Sequence, residues 1–250
     1  MNGRRAVFMD IDGTLTMHAG APSDAVIAAI RSARRNGHLF FLCTGRSCGF
    51  IPEPLCGADY LDGFVCGAGT HVRLGNTDLW HERIPPQALR AVLAHYLPLG
   101  KRINFEGESE VYSVNWCLDR PQITSVTDFD EKYAGAAVTK LTLEGTVGPC
   151  DEALLSPWFT VCDMHGYFEA ILKGNSKATG MERMLKAVGI PRENSIAVGD
   201  GENDLPMLRW AGVGVAMGNA GPGVKAEADH VTASCEEDGI ARMLREFGLA

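Results

Sequence analysis

No run in this 250-residue chain has the length of a membrane span: its apolar stretches, such as Leu39-Phe40-Phe41-Leu42-Cys43, are of strand length, whereas a bilayer helix needs about 20 apolar residues. A secretory leader is not expected either, because only four apolar residues, Ala6 to Met9, precede Asp10; the chain is expected in the cytoplasm, with no membrane partner. Basic runs are missing as well. With 23 Lys and Arg against 31 Asp and Glu, a net charge of -8 and no basic stripe, a sequence-independent nucleic-acid binder is excluded. An anionic ligand would have to be met locally, by a metal, a Lys or Arg, or a helix N-terminus. No two of the eight cysteines (43, 48, 56, 66, 117, 150, 162 and 235) have Cys-x-x-Cys spacing, so zinc and redox pairs of that type are excluded and free thiols are expected. Cys43 reads as a small buried hydrophobe. Internal repeats and low-complexity tracts are also absent.

What the chain does have, at 46% hydrophobic residues, is enough apolar material for one large or two smaller domains. Strand-length apolar runs alternate with helix-period segments at both ends, which predicts an α/β fold with a Rossmann-like parallel sheet. The N-terminal part reads as a strand over Ala6 to Met9, a helix capped by Ser23 and ended at Gly37, and a strand over Leu39 to Cys43. The C-terminal part reads as a helix from Ser176 to Val188 stopped by Gly189, a strand Ser195 to Val198, a short helix Leu205 to Trp210 and a strand Gly212 to Ala216. Between them, alternation over Glu110 to Cys117 and a helix near Pro86 to Leu97 predict an inserted α+β domain over 79–168, flanked by a core of 1–78 and 169–250.

The most informative segment is Val7-Phe8-Met9-Asp10-Ile11-Asp12-Gly13-Thr14-Leu15. Side chains two apart on a strand share a face, so Asp10 and Asp12 are expected to converge where the strand opens at Gly13. Two converging carboxylates call for a cation or a proton, hence a metal or acid/base task; an acidic turn around Asp12-Gly13 is the alternative. A calcium loop is excluded, because the sixth and twelfth positions counted from Asp10 are Leu15 and Ala21 rather than Gly and Glu.

Three further signals fall at strand ends or helix starts. Thr44-Gly45-Arg46 offers a hydroxyl, a flexible residue and a cation for phosphate oxygens. Lys177, in Gly174-Asn175-Ser176-Lys177, sits where the helix dipole disfavours a cation; it is either exposed or part of an anion site. Val198-Gly199-Asp200-Gly201-Glu202-Asn203-Asp204 gathers acids after a strand, and Asp10, Asp12 and Asp200, if neighbours, make an oxygen site suited to magnesium. Gly212-Val213-Gly214-Val215-Ala216-Met217-Gly218 does not read as a dinucleotide fingerprint, since its glycines fall inside a strand and Met217 stands where the third glycine belongs.

In this order and spacing, the four segments resemble the haloacid dehalogenase-like phosphohydrolase superfamily. The large insertion between Thr44 and Lys177 resembles the cap of its Cof-like branch, although Cys66-Gly67-Ala68 stands where that branch commonly has Asn-Gly-Ala. The resemblance implies magnesium-dependent hydrolysis of small phosphorylated metabolites, such as sugar or cofactor phosphates. Asp10 is then the nucleophile and Asp12 the general acid and base. Thr44, Gly45, Lys177 and Asn203 hold the phosphoryl group, Asp10, Asp12 through its carbonyl, and Asp200 hold the metal, and Asp204 supports that shell. Arg46 either meets a second anionic group or pairs on the surface. Candidates for selecting the leaving group, such as His71, Trp80, His81, Arg83, Trp116, Arg120, Trp158 and His165, are polar or aromatic, yet none is singled out as a site residue. Phosphomutase-type transfer is the rival enzyme reading. A phospho-sensor is the rival of another class, opposed by Asp12, which would shorten the life of an acyl phosphate. The sequence specifies no oligomeric state.

Overall fold

The computed structural model describes residues 3–17, 20–116, 119–133, 135–164 and 166–250, so Cys117 and His165 lie outside the described residues. The strands, in chain order, are β1 (Ala6–Met9), β2 (Leu39–Cys43), β3 (Gly63–Cys66), β4 (His71–Leu74), β5 (Thr77–His81), β6 (Ile103–Gly107), β7 (Val111–Val114), β8 (Val138–Glu144), β9 (Phe159–Asp163), β10 (Tyr167–Leu172), β11 (Ser195–Gly199), β12 (Val213–Ala216) and β13 (His230–Val231). The helices are α1 (Asp24–Arg35), α2 (Glu53–Cys56), α3 (Pro86–Tyr96), α4 (Val126–Lys132), α5 (Pro149–Leu155), α6 (Lys177–Val188), α7 (Leu205–Trp210), α8 (Pro222–Glu227) and α9 (Gly239–Glu246). They divide into two compact units: Met1–Gly45, Ile51–Trp80 and Ser176–Ala250 form the first, Arg46–Phe50 and His81–Asn175 the second.

The first unit is built on a sheet of order β13-β12-β11-β1-β2-β3-β4-β5. From β13 to β3 neighbouring strands are parallel, and β3 and β4 are antiparallel. Parallel strands are covered on both faces and so read as unbroken apolar runs. In β1, Val7 and Met9 enter a layer with Val26 and Ile30 of α1 and Ile240 and Met243 of α9. Ala6 and Phe8 enter the opposite layer with Met181 and Met184 of α6 and Met207 of α7. The chain leaves β1 toward β2 and β3, then resumes on the other side of β1 with β11, β12 and β13. That reversal between β1 and β11 is the switch point at which open α/β sheets bind ligands, beyond the carboxyl ends of the strands.

The second unit is an antiparallel sheet of order β7-β6-β8-β10-β9. Ile103, Phe105, Leu141, Leu143, Phe168 and Ala170 pack on Leu89, Val92 and Leu93 of α3 and Phe129 of α4. On the other face, buried Lys140 pairs with Glu106 at 3.2 Å and with Glu169 at 2.5 Å. The fold is therefore α/β: a Rossmann-like parallel core carrying an inserted α+β cap. Among the described residues, no helix is long and apolar enough to cross a membrane, and the cysteines form no disulfide.

Candidate active site

Three neighbouring strands of the first unit deliver the site. β1 ends at Met9, β2 at Cys43 and β11 at Gly199, so Asp10, Thr44 and Asp200 are each the first residue beyond a strand at one edge of the sheet. Asp10 still belongs to the ladder through its N–H, which donates to the Val198 carbonyl at 3.0 Å. The chain then turns sharply: the Ile11 carbonyl accepts from the N–H groups of Leu15 and Thr16 at 3.0 and 2.9 Å, and Gly13 takes φ +77°. The two acids of Asp10-Ile11-Asp12 are thus not successive same-face positions of a strand, because the strand has ended before both. Asp10 is enclosed at 6% exposure, whereas Asp12 is exposed on the turn. From the same turn, the Thr14 hydroxyl donates to Asp200 Oδ1 at 2.7 Å.

Lys177 opens α6, whose start is fixed by Ser176: its hydroxyl accepts from the Thr179 N–H, and the Thr179 hydroxyl accepts from the Ser176 N–H. A cation there opposes the helix dipole, but its side chain runs inward, 2% exposed, to two carboxylates. Its Nζ donates to Asp10 Oδ1 at 2.8 Å and to Asp204 Oδ1. Burial works against the charged ammonium; the two aspartates overcome it and hold the Lys177 pKa above its ordinary value. Asp204 is fully enclosed, and its Oδ2 accepts from the N–H groups of Asp200 and Gly201, both at 3.0 Å, which closes the loop after β11. Burial pushes Asp10 up to about 7, the Asp204 charge adding to it and Lys177 opposing it. Burial also raises the Asp200 carboxyl, against the hydrogen bond from Thr14.

The model of the haloacid dehalogenase-like hydrolases matches this chain over residues 7–144 and 150–244. The chain belongs to the haloacid dehalogenase-like hydrolase family. YkrA of Bacillus subtilis strain 168, a protein named provisionally as a phosphatase, is 29% identical over 255 residues, covering 98% of this chain and 98% of its own. The solved structure of a subclass IIB sugar phosphatase of the superfamily superposes with TM-score 0.83 at 27% identity, covering 98% of this chain and 100% of that one. Another, from crystallography of a trigonal-bipyramidal intermediate in a phosphoryl-transfer superfamily, gives TM-score 0.85 at 27% identity and covers 99% of this chain and 100% of its own.

In this haloacid dehalogenase-like hydrolase, Asp10, Asp200 and Asp204 each place a carboxylate oxygen so that all three lie within 4.8 Å of one another. An oxygen-only donor set fits a hard divalent cation such as magnesium. Asp10 and Asp200 are the carboxylates suited to hold it, since Asp204 already serves an ammonium and two N–H groups. Thr44 is buried, its N–H donating to Val65 O at 2.8 Å and its carbonyl accepting from Ala68 N–H at 3.0 Å. Cys66-Gly67-Ala68 is thereby tied to the strand end beside it, and Gly45 is enclosed next to Thr44. Asn203 lies in the single turn Glu202–Asp204, and its Oδ1 stands 2.5 Å from where a Cβ on Gly201 would be, so a side chain there would displace the Asn203 amide.

The structure brings together Asp10, Lys177, Asp200 and Asp204, with Thr44 and Gly45 on the adjoining strand end, Asn203 on the adjoining turn and Asp12 at the exposed turn. Among the other polar and aromatic residues considered, His71 is buried at 2.8 Å from Asp78, Trp80 lies under the Arg183 guanidinium at 4.2 Å, and Arg120 stands over the Phe50 ring at 5.6 Å. Two residues escaped the sequence reading: Thr14 and Asn219, whose Nδ2 donates to the Gly13 carbonyl at 2.8 Å. Thr14 could have been found as the hydroxyl next to Asp12-Gly13. Asn219 follows Met217-Gly218, where spacing alone gives no signal.

Proposed function

We propose that this phosphatase hydrolyses phosphate monoesters of small molecules, sugar or cofactor phosphates, in a magnesium-dependent reaction that passes through an aspartyl-phosphate on Asp10. The observation that carries this reading is the buried Asp10 at the switch point, held by Lys177 at 2.8 Å and clustered with Asp200. In the first step an ionised oxygen of Asp10 attacks phosphorus, and a carboxylate nucleophile divides one difficult displacement by water into two easier ones. Asp12, two residues later on the exposed turn, gives a proton to the leaving alkoxide; it then takes one from the water that attacks the acyl phosphate. Thr44, the Gly45 backbone, Lys177 and Asn203 hold the phosphoryl oxygens, so that positioning and charge carry most of the catalysis. Asp10, Asp200 and the Asp12 carbonyl would hold magnesium, which when bound neutralises charge on the transferring group. Asp204 keeps Lys177 and the loop after β11 in place. Catalysis is assigned to the first unit and choice of leaving group to the second, whose fold is that of a cap. The sugar phosphatase among its structural relatives supports the substrate class.

The test is release of phosphate from p-nitrophenyl phosphate and a panel of metabolite esters, with and without magnesium, by the native chain and Asp10→Asn. Magnesium-dependent turnover that falls at least about a thousandfold in the variant is expected. A folded native protein that turns over neither the reporter ester nor the panel contradicts the proposal.

A further inference from the structure

The loop after β12 has no part in the roles assigned so far, yet it reaches the carboxylate cluster. It is anchored on its own account: Met217 N–H donates to Gly199 O at 3.0 Å, Gly218 N–H to Ala233 O at 2.9 Å, and Lys225 Nζ to Gly218 O at 2.6 Å. From that anchored loop the Asn219 side chain extends toward the turn that follows β1. Its Oδ1 accepts from the Cys235 N–H at 2.9 Å, which fixes the amide orientation and leaves Nδ2 as the donor. Nδ2 donates to the Gly13 carbonyl at 2.8 Å and stands 3.4 Å from Asp200 Oδ2. Asp200 Oδ1 takes the Thr14 hydroxyl, so both oxygens of this carboxylate are addressed by neutral donors. The turn and the carboxylate are also in direct contact, since a Cβ on Gly13 would lie 2.1 Å from Asp200 Oδ2.

We propose that Asn219 is a positioning residue: one amide, aligned by the Cys235 N–H, locks the Asp12-Gly13 turn and the Asp200 carboxylate into a single arrangement, and so sets the oxygen geometry for a divalent cation. The inference rests on the hydrolase reading above. Asn219 is exposed, so its removal should touch folding little and metal binding much.

Magnesium binding by calorimetry and turnover of p-nitrophenyl phosphate across a magnesium series test this for the native chain, Asn219→Ala and Asn219→Asp. For Asn219→Ala, the magnesium Kd and the half-saturating magnesium for turnover are both expected to rise about tenfold, with KM for the ester at saturating magnesium unchanged and the metal-free melting temperature within about 2 °C of native. Asn219→Asp keeps the acceptor for Cys235 but withdraws the donor from Gly13, and should lower kcat about tenfold with the fold intact. Unchanged magnesium affinity in Asn219→Ala, or a loss matched by a collapse of the metal-free melting temperature, overturns the inference. If the native chain binds magnesium but hydrolyses no ester, the hydrolase reading fails by itself, and the Kd comparison still decides the role of Asn219.

Discussion

At the scale of single residues, the site is organised by a lysine where helix physics disfavours one. Lys177 is tolerated at the first position of α6 because Asp10 and Asp204 compensate it, and burial makes that pairing strict: a buried charge left unpaired costs several kcal/mol. Asp10 shows the other side of this balance. Its carboxyl is pushed from the ordinary 3.8 to about 7, chiefly by burial, so the folded protein holds that proton more tightly than the unfolded chain does. The linked stability is complete below the ordinary carboxylate range and is lost as pH rises through about 7. Chelator-treated protein should accordingly melt at lower temperature as pH is raised between about 4 and 8, and Asp10→Asn should flatten that slope. A difference in melting temperature between the native chain and Asp10→Asn that does not change with pH over this window contradicts the assignment. Lys177 stood out in the sequence because its position is locally wrong, and Asp10 and Asp204 stood out as acids; their pairing with the lysine was not legible, since Asp204 faces it only after two N–H groups have closed the loop over Asp200 and Gly201.

Among elements, α6 shows how closely the lysine is held. Gly180, one turn into the helix, faces β3 so closely that a Cβ would lie 2.3 Å from Val65 Cγ1 and 3.0 Å from the Gly69 Cα. Gly180→Ala should therefore destabilise by about 1–3 kcal/mol through overpacking. It should also lower kcat, since lifting α6 from the sheet withdraws Lys177 from Asp10; denaturant melts and steady-state kinetics check both, and a variant of native stability and rate refutes the packing argument. Elements of this kind were legible where their ends are local chemistry. Ser23 and Ser176 accept from the N–H groups three residues on, and Gly189 takes the left-handed conformation at φ +67° that stops α6. The turn after β1 was less legible: alternation predicts where a strand's side chains point but not that the Asp10 N–H makes the last ladder bond before the chain turns on the Ile11 carbonyl. The segment Arg46–Phe50, which groups with the second unit, carries no local signal for that membership either.

On the scale of the whole molecule, the net charge of -8 makes the fold a poor general attractor of phosphate. In the proposed reaction, recognition of the phosphoryl group would therefore fall to Lys177, backbone N–H groups and a divalent cation at the switch point. The parallel core was readable from unbroken apolar runs at both ends of the chain, and the acids of the candidate site follow two of them. The antiparallel sheet of the insertion was readable only as a kind, because its strand order depends on pairing across long stretches of sequence. The proposed reaction stands or falls on the covalent role of Asp10, and the most direct test is acid quenching during turnover of a phosphate ester, reduction with borohydride and peptide mass spectrometry. An aspartyl-phosphate is reduced to homoserine, so conversion of Asp10, dependent on both substrate and magnesium, is the predicted result. Turnover with no modified aspartate, or with the modification at Asp12 or Asp204, contradicts it.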